Sequence, residues 1–166
     1  MKRSMALLLV IMCIAGCATV PVLKEPIKKQ ETVNVAMDAL WPDLVTIVTE
    51  GGNIINVADK PSGVIAFKKI LKKDEVRKYA LEKAPGLIGY NKGDAYVTIR
   101  AKAIDDKSTS ITITSQIQGF ITAGYTRQQF TYDLSSNGQL EKDLFNIIKA
   151  QCGEVDYKWM ENNTEK

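Results

Sequence analysis

The chain reads as an α+β protein in which one antiparallel sheet of about four to six strands packs against two main helices. Three observations predict this. Trp41, Leu44, Val45 and Val48, and again Leu140, Leu144, Ile147 and Ile148, recur at helical spacing and form two apolar stripes. Residues 95–103 and 111–118 alternate apolar and polar with period two, which gives a strand one buried and one wet face. The clusters Asp59-Lys60-Pro61-Ser62 and Asp105-Asp106-Lys107-Ser108 separate neighbouring β-rich runs, so each makes an antiparallel hairpin.

Taken in order, residues 31–37 alternate around Val33 and Val35 and form the first predicted strand. Asp38 is placed to cap a helix over 38–50, because its carboxylate can accept orphan amides of the first turn. In that register Pro42 is the fourth helical residue, where a missing N–H has no helical partner to lose. Leu40 and Ile47 widen the stripe, Trp41 is expected to be buried against the sheet, and Gly51-Gly52 ends the helix. Strands follow over 53–58 and 63–70, then a short surface helix over 72–84 ended by Pro85. A glycine-rich loop spans 86–93. Ala95, Val97, Ile99, Ala101 and Ala103 form the buried side of the next strand, and Ile111, Ile113 and Ile117 that of its partner. Residues 119–127 are less regular, and Phe130 and Tyr132 mark a short last strand. Ser135 or Ser136 caps a final helix over 137–151, whose stripe extends to Cys152. Together these make a single domain over 31–152, followed by a tail over 153–166 that is polar apart from Tyr157, Trp159 and Met160.

The first residues are of another kind. Lys2 and Arg3 precede an uncharged apolar run over 5–14, and the small residues Ala15 and Gly16 lead into Cys17. Basic, apolar and small-residue zones in that order make a secretory signal. The run is far shorter than the roughly 20 apolar residues that a transmembrane helix needs. The ending Ile14-Ala15-Gly16-Cys17 resembles the lipobox of bacterial lipoproteins. That resemblance implies cleavage before Cys17, a diacylglycerol on its sulfur and an acylated amine. Residues 1–16 are then the signal peptide, and 17–30 the lipidated N-terminus and tether. Two or three acyl chains anchor stably, since each buried CH₂ adds roughly 0.8 kcal/mol. Pro21, Pro26 and the charges of Lys24, Glu25, Lys28 and Lys29 keep the tether solvated. Ala18 stands where the family's inner-membrane retention signal has Asp, which implies transfer to the outer membrane, facing the periplasm. The covalent lipid on Cys17 is the one cofactor expected, and the membrane it enters the first partner.

Composition narrows the function. The chain has 22 basic and 19 acidic residues and no histidine. Two basic residues leave with the signal, so the mature protein is close to neutral and nucleic-acid binding, which needs a strong positive field, is not expected. Roughly 150 residues remain, enough for one domain with a proper core. The lack of histidine excludes Ser-His-Asp and Cys-His catalysis and His-ligated zinc, so a non-catalytic role is expected. Cys13 leaves with the signal and Cys17 takes the lipid, so the mature chain has no pair for an internal disulfide. Cys152 is expected to be buried as a small apolar residue.

The stretch Trp41…Leu44…Gly51-Gly52-Asn53-Ile54-Ile55…Asp59…Gly63-Val64-Ile65 and the closing Ser136-Asn137-Gly138…Leu140-Glu141 resemble the helix-grip domains of Gram-negative envelope lipoproteins of the BamC type. The likeness covers roughly residues 31–152. It implies an antiparallel sheet against helices and carries no catalytic residues.

Four groups of residues are candidates for function. Lys68, Lys69, Lys72, Lys73, Arg77 and Lys78 form the densest basic run, read first as a solvated surface. Asp105 and Asp106 are read as turn residues, while Asp133 and Glu141 have no evident partner. The loops carrying Leu87, Ile88 and Tyr90, and Phe120, Ile121 and Tyr125, gather apolar side chains among glycines. They are either the rim of a binding groove or loops folded onto the core. Two functions follow: a lipid-anchored envelope module that binds another envelope protein, or a carrier holding a lipid or other apolar ligand between sheet and helix.

Overall fold

A computed structural model describes residues 27–82, 89–122 and 128–153. The elements are β1 (Gln30–Val33), α1 (Met37–Glu50), β2 (Ile54–Asp59), β3 (Val64–Lys72), α2 (Lys73–Tyr79), β4 (Lys92–Ala103), β5 (Thr109–Thr122), β6 (Gln129–Leu134) and α3 (Gln139–Gln151). The fold is α+β with an antiparallel sheet in the order β1-β5-β4-β3-β2. β6 also pairs with β5. β1 takes the first part of that strand's outer edge, at Thr109 to Thr112, and β6 the last, from Ile117 to Thr122.

Alternation sorts the two faces. Ile65, Phe67 and Leu71 of β3, Ala95, Val97, Ile99 and Ala101 of β4, and Ile111, Ile113 and Ile117 of β5 are buried on the inner face. α1 covers that face with Leu40, Leu44 and Val48, and α3 with Leu140, Leu144, Phe145 and Ile148. Each such side chain contributes roughly 1.5–3 kcal/mol by leaving water. The outer face, with Tyr96, Arg100, Thr114 and Gln116, stays wet.

Several local expectations are corrected. β1 stops at Val33, because the Thr109 hydroxyl donates to the Val35 carbonyl (2.7 Å) where the chain turns into α1. The N-cap of α1 is Ala36, with no side-chain cap, and Asp38 lies inside the first turn, paired with Lys60 (2.8 Å). Pro42 is therefore deeper than expected, and the amide it lacks would have served the Asp38 carbonyl; both residues are exposed, so water can replace that bond. With Leu40, Leu44 and Val48 centred on the sheet, Trp41 is turned aside by one residue, about 100° of helix, and is half-buried.

α2 ends at Tyr79 rather than Pro85, because Ala80 becomes extended and bridges to Ser136, while the Leu81 amide donates to the Ser135 carbonyl (2.9 Å). It lies at the surface, with Lys73, Asp74, Arg77 and Lys78 exposed, and buries Val76 and Tyr79 on its inner side. α3 starts two residues late, at Gln139, with the left-handed Gly138 as N-cap. The Ser136 hydroxyl instead accepts from the Gly138 amide (3.1 Å), and Asn137 Oδ1 accepts from the Gln139 amide (3.0 Å). Ala103 and Ile147 are exposed, and Cys152 is half-buried against the core.

β1 is held by charge as well as by its ladder. Glu31 bonds to Lys149 of α3 and to Lys28 (3.0 Å). Burial pushes its carboxyl up, but the hydrogen bonds from Lys149 and Lys28 outweigh that and hold it below its ordinary value of 4.5. A carboxyl depressed by folding adds stability that is present above its unfolded pKa and lost as the pH falls through the folded one. The melting temperature should therefore fall as the pH drops below 4.5, and less steeply in Glu31→Gln. Equal acid slopes for the two proteins would show that this cluster does not hold β1.

Candidate functional site

Of the six apolar loop candidates Tyr90, Phe120 and Ile121 are described, and of these Tyr90 and Ile121 are buried. Cys17, Leu87, Ile88 and Tyr125 lie outside the described residues. Tyr90 does not rim a groove; it is 3% exposed. Its ring lies against Gly119, where a Cβ would come within 2.6 Å of it, and meets Tyr132 edge-on at 6.0 Å. Glycine is needed there because the ring packs directly on the strand backbone. Residues 119–122 continue β5 instead of opening into a loop, because β4 pairs with them on one side and β6 on the other. Ile121 is buried on the inner face. Phe120 alternates to the outer face, half-buried, with the Lys92 ammonium 5.9 Å from its ring centroid. Tyr90 and Phe120 are thus on opposite sides of the sheet.

Four of the six residues of the basic run are paired with acidic side chains. Lys68 meets Asp94 (3.5 Å), Lys69 meets Glu75 (3.3 Å), Arg77 meets Asp74 (3.7 Å) and Lys78 meets Asp143 (2.7 Å). Asp105 accepts the Lys107 amide (2.8 Å), the bond that makes it a turn residue. Asp133 accepts from Gln118 (2.9 Å). Glu141, which has no partner evident in sequence, is 1% exposed and accepts hydroxyl hydrogen bonds from Ser115 and Ser136, each 2.8 Å. Among the described residues no group of carboxylate and thiol side chains converges as metal ligands.

What sequence reasoning missed is a groove of about 290 Å³ between the C-terminal end of α1 and the length of α3. Phe67 and Tyr79 contribute to its base, and Ile47, Leu140, Leu144 and Ile147 give apolar walls from the two helices. Glu50, Asn53, Asp143 and Gln151 bring polar groups, and Lys69, paired with Glu75 (3.3 Å), is the one cation among the described residues of the lining. The only hint in the sequence was that Ile47 and Ile147 widened their stripes beyond what the sheet could cover.

The groove has a negative bias. Two helix C-termini end at it, and a helix carries about −0.5 charge at that end. α1 has no basic residue in its last turn, and Lys149, the base in the last turn of α3, is turned to Glu31. Asp143 accepts from Lys78 (2.7 Å), Tyr79 (3.2 Å) and Gln139 (2.6 Å). Burial, then the Asp143 charge, pushes the Tyr79 phenol above its ordinary value, and the bond to Asp143 raises Lys78. Asn53 donates to the Val48 carbonyl (2.9 Å), and its Oδ1 is buried with no donor among the described residues. Such a site can hold apolar groups against Phe67 and the helix walls, with donors or a cation at the rim.

No protein-family model matches the chain, and no curated protein is significantly similar to it. No described helix is long and apolar enough to cross a membrane.

Proposed function

We propose that the protein is a lipid-anchored, non-catalytic interaction module of the bacterial envelope, held through Cys17 on the periplasmic side of the outer membrane, with a helix-grip-like domain that binds another envelope protein in the groove between α1 and α3. The observation that carries this reading over the carrier is the filling of the sheet–helix interface. Leu40, Leu44, Val48, Phe145 and Ile148 pack directly on the inner face, and the groove of about 290 Å³ lies between the end of α1 and the length of α3 with a mixed polar lining. A carrier needs an enclosed, mostly apolar cavity of about 300 Å³ or more. An open groove with polar groups beside apolar walls suits a segment of another protein.

Two experiments test the two halves of the proposal. Cys17→Ser should leave an unprocessed precursor that incorporates no labelled fatty acid; normal labelling of that variant would remove the lipid anchor. A photoreactive residue in place of Ile147 should give a discrete crosslink to an envelope protein in intact cells, and one in place of Thr114, on the outer face, should not. Crosslinks from position 114 alone would move the site to the open sheet face. Absence of crosslinks from both positions would eliminate the module.

A further inference from the structure

We propose that the groove between α1 and α3 is the docking site of the chain's own C-terminal segment, residues 155–160. α3 delivers the chain directly to it: Gln151 lines the groove, and two residues later Gly153 turns the backbone in the left-handed conformation (φ 74°). The sequence then continues Glu154-Val155-Asp156-Tyr157-Lys158-Trp159-Met160. Val155, Tyr157 and Trp159 alternate with charged residues, so an extended segment would present one side made wholly of apolar groups.

Reach and chemistry both fit. From Gln151 to Leu140 the groove follows α3 for about 16 Å, at 1.5 Å per residue. Residues 155–159 lie within about 13–26 Å of Gln151 along an extended chain, so Tyr157 and Trp159 can be laid back along that wall. Ile147, 40% exposed on the wall, is the apolar surface they would cover. Lys158, flanked by the two aromatic residues, supplies a cation for Glu50 and the C-terminal end of α1, which has no basic residue in its last turn. Lys69 of the lining is paired with Glu75. A partner entering the same groove would have to displace the segment. That regulatory consequence rests on the partner reading above, whereas the docking itself does not.

The test uses the mature chain with Cys17→Ala, so that it stays in solution, and Trp41→Phe, which leaves Trp159 as its tryptophan. Trp159 emission should be blue-shifted and several-fold less quenched by acrylamide than a free tryptophan amide, at every protein concentration. Ile147→Glu should abolish that protection without lowering the melting temperature. Lys158→Glu should weaken it, and adding Glu50→Lys should restore it. If Trp41→Phe does not fold, amide hydrogen exchange of residues 155–160 in the chain that keeps Trp41 gives the same comparison. Quenching equal to the free amide would overturn the proposal. So would protection that survives Ile147→Glu, which means docking elsewhere, such as on the open edge of β2. Protection lost on dilution would assign the groove to a second copy and overturn it as well.

Discussion

Gly63→Ala is expected to cost about 2–5 kcal/mol. Two effects combine. Gly63 ends the turn between β2 and β3 at φ 66°, a left-handed conformation that costs a residue with a Cβ about 1–2 kcal/mol. A Cβ there would also fall onto the Ala101 carbonyl oxygen, far inside van der Waals contact. That oxygen is backbone and cannot swing away, and β4 is fixed by β3 and β5 on either side. Relieving the overlap means moving a strand, at about 1–3 kcal/mol. Moving it also strains the bond from the Ala101 amide to the Gly63 carbonyl (2.8 Å), which locks the hairpin onto β4. Gly52→Ala is the control. Gly52 has the same hand (φ 67°), but nothing lies within 4 Å of its added Cβ. Denaturant titrations should place Gly63→Ala well below Gly52→Ala. Equal losses would show that only backbone conformation matters and that the contact with β4 relaxes freely.

Glu141→Ala should cost about 3 kcal/mol, a large share of the 5–15 kcal/mol typical of a domain. Glu141 sits in the first turn of α3, where a negative charge meets the positive end of the helix. Its carboxylate accepts from Ser115, on the inner face of β5, and from Ser136, just before the helix, and no cation pairs with it among the described residues. Hydrogen bonds to an ionised group are worth about 1.5–3 kcal/mol each. The loss of two is only partly offset by no longer burying the charge. Ser136 itself is buried and keeps only the Gly138 amide as a partner. Glu141→Gln should lose less, since an amide can accept from one hydroxyl and donate to the other. In a mutant cycle, Ser115→Ala should cost little once Glu141 is gone. A loss below about 1 kcal/mol for Glu141→Ala would mean that the two hydroxyls are equally content with water.

Element type was legible wherever local periodicity was strong. Residues 95–101 and 111–117 alternate because one face meets the helices and the other meets water, and a period-two pattern needs no knowledge of what covers it. The stripes of α1 and α3 were legible for the same reason. Helix ends were read less well. Asp38 and Ser136 are both good cap residues in isolation, but Asp38 is drawn to Lys60 from another element. Ser136 lies two residues before the N-cap, where it bonds Glu141 of the first turn. The apolar loops were ambiguous because burial of Tyr90 depends on Gly119, nearly thirty residues away, having no side chain.

By itself the sequence determined the two long helices, the central strands with the apolar side of each, the two hairpins and the class α+β, because these follow from spacing within a few residues. Tertiary structure alone decided that β1 and β6 share one edge of β5, that Glu141 meets Ser115, and that the end of α1 lies beside α3 over Phe67 to leave a groove. Each of these depends on the register between segments far apart in the chain, and register is set by how complete surfaces fit, which no local pattern encodes.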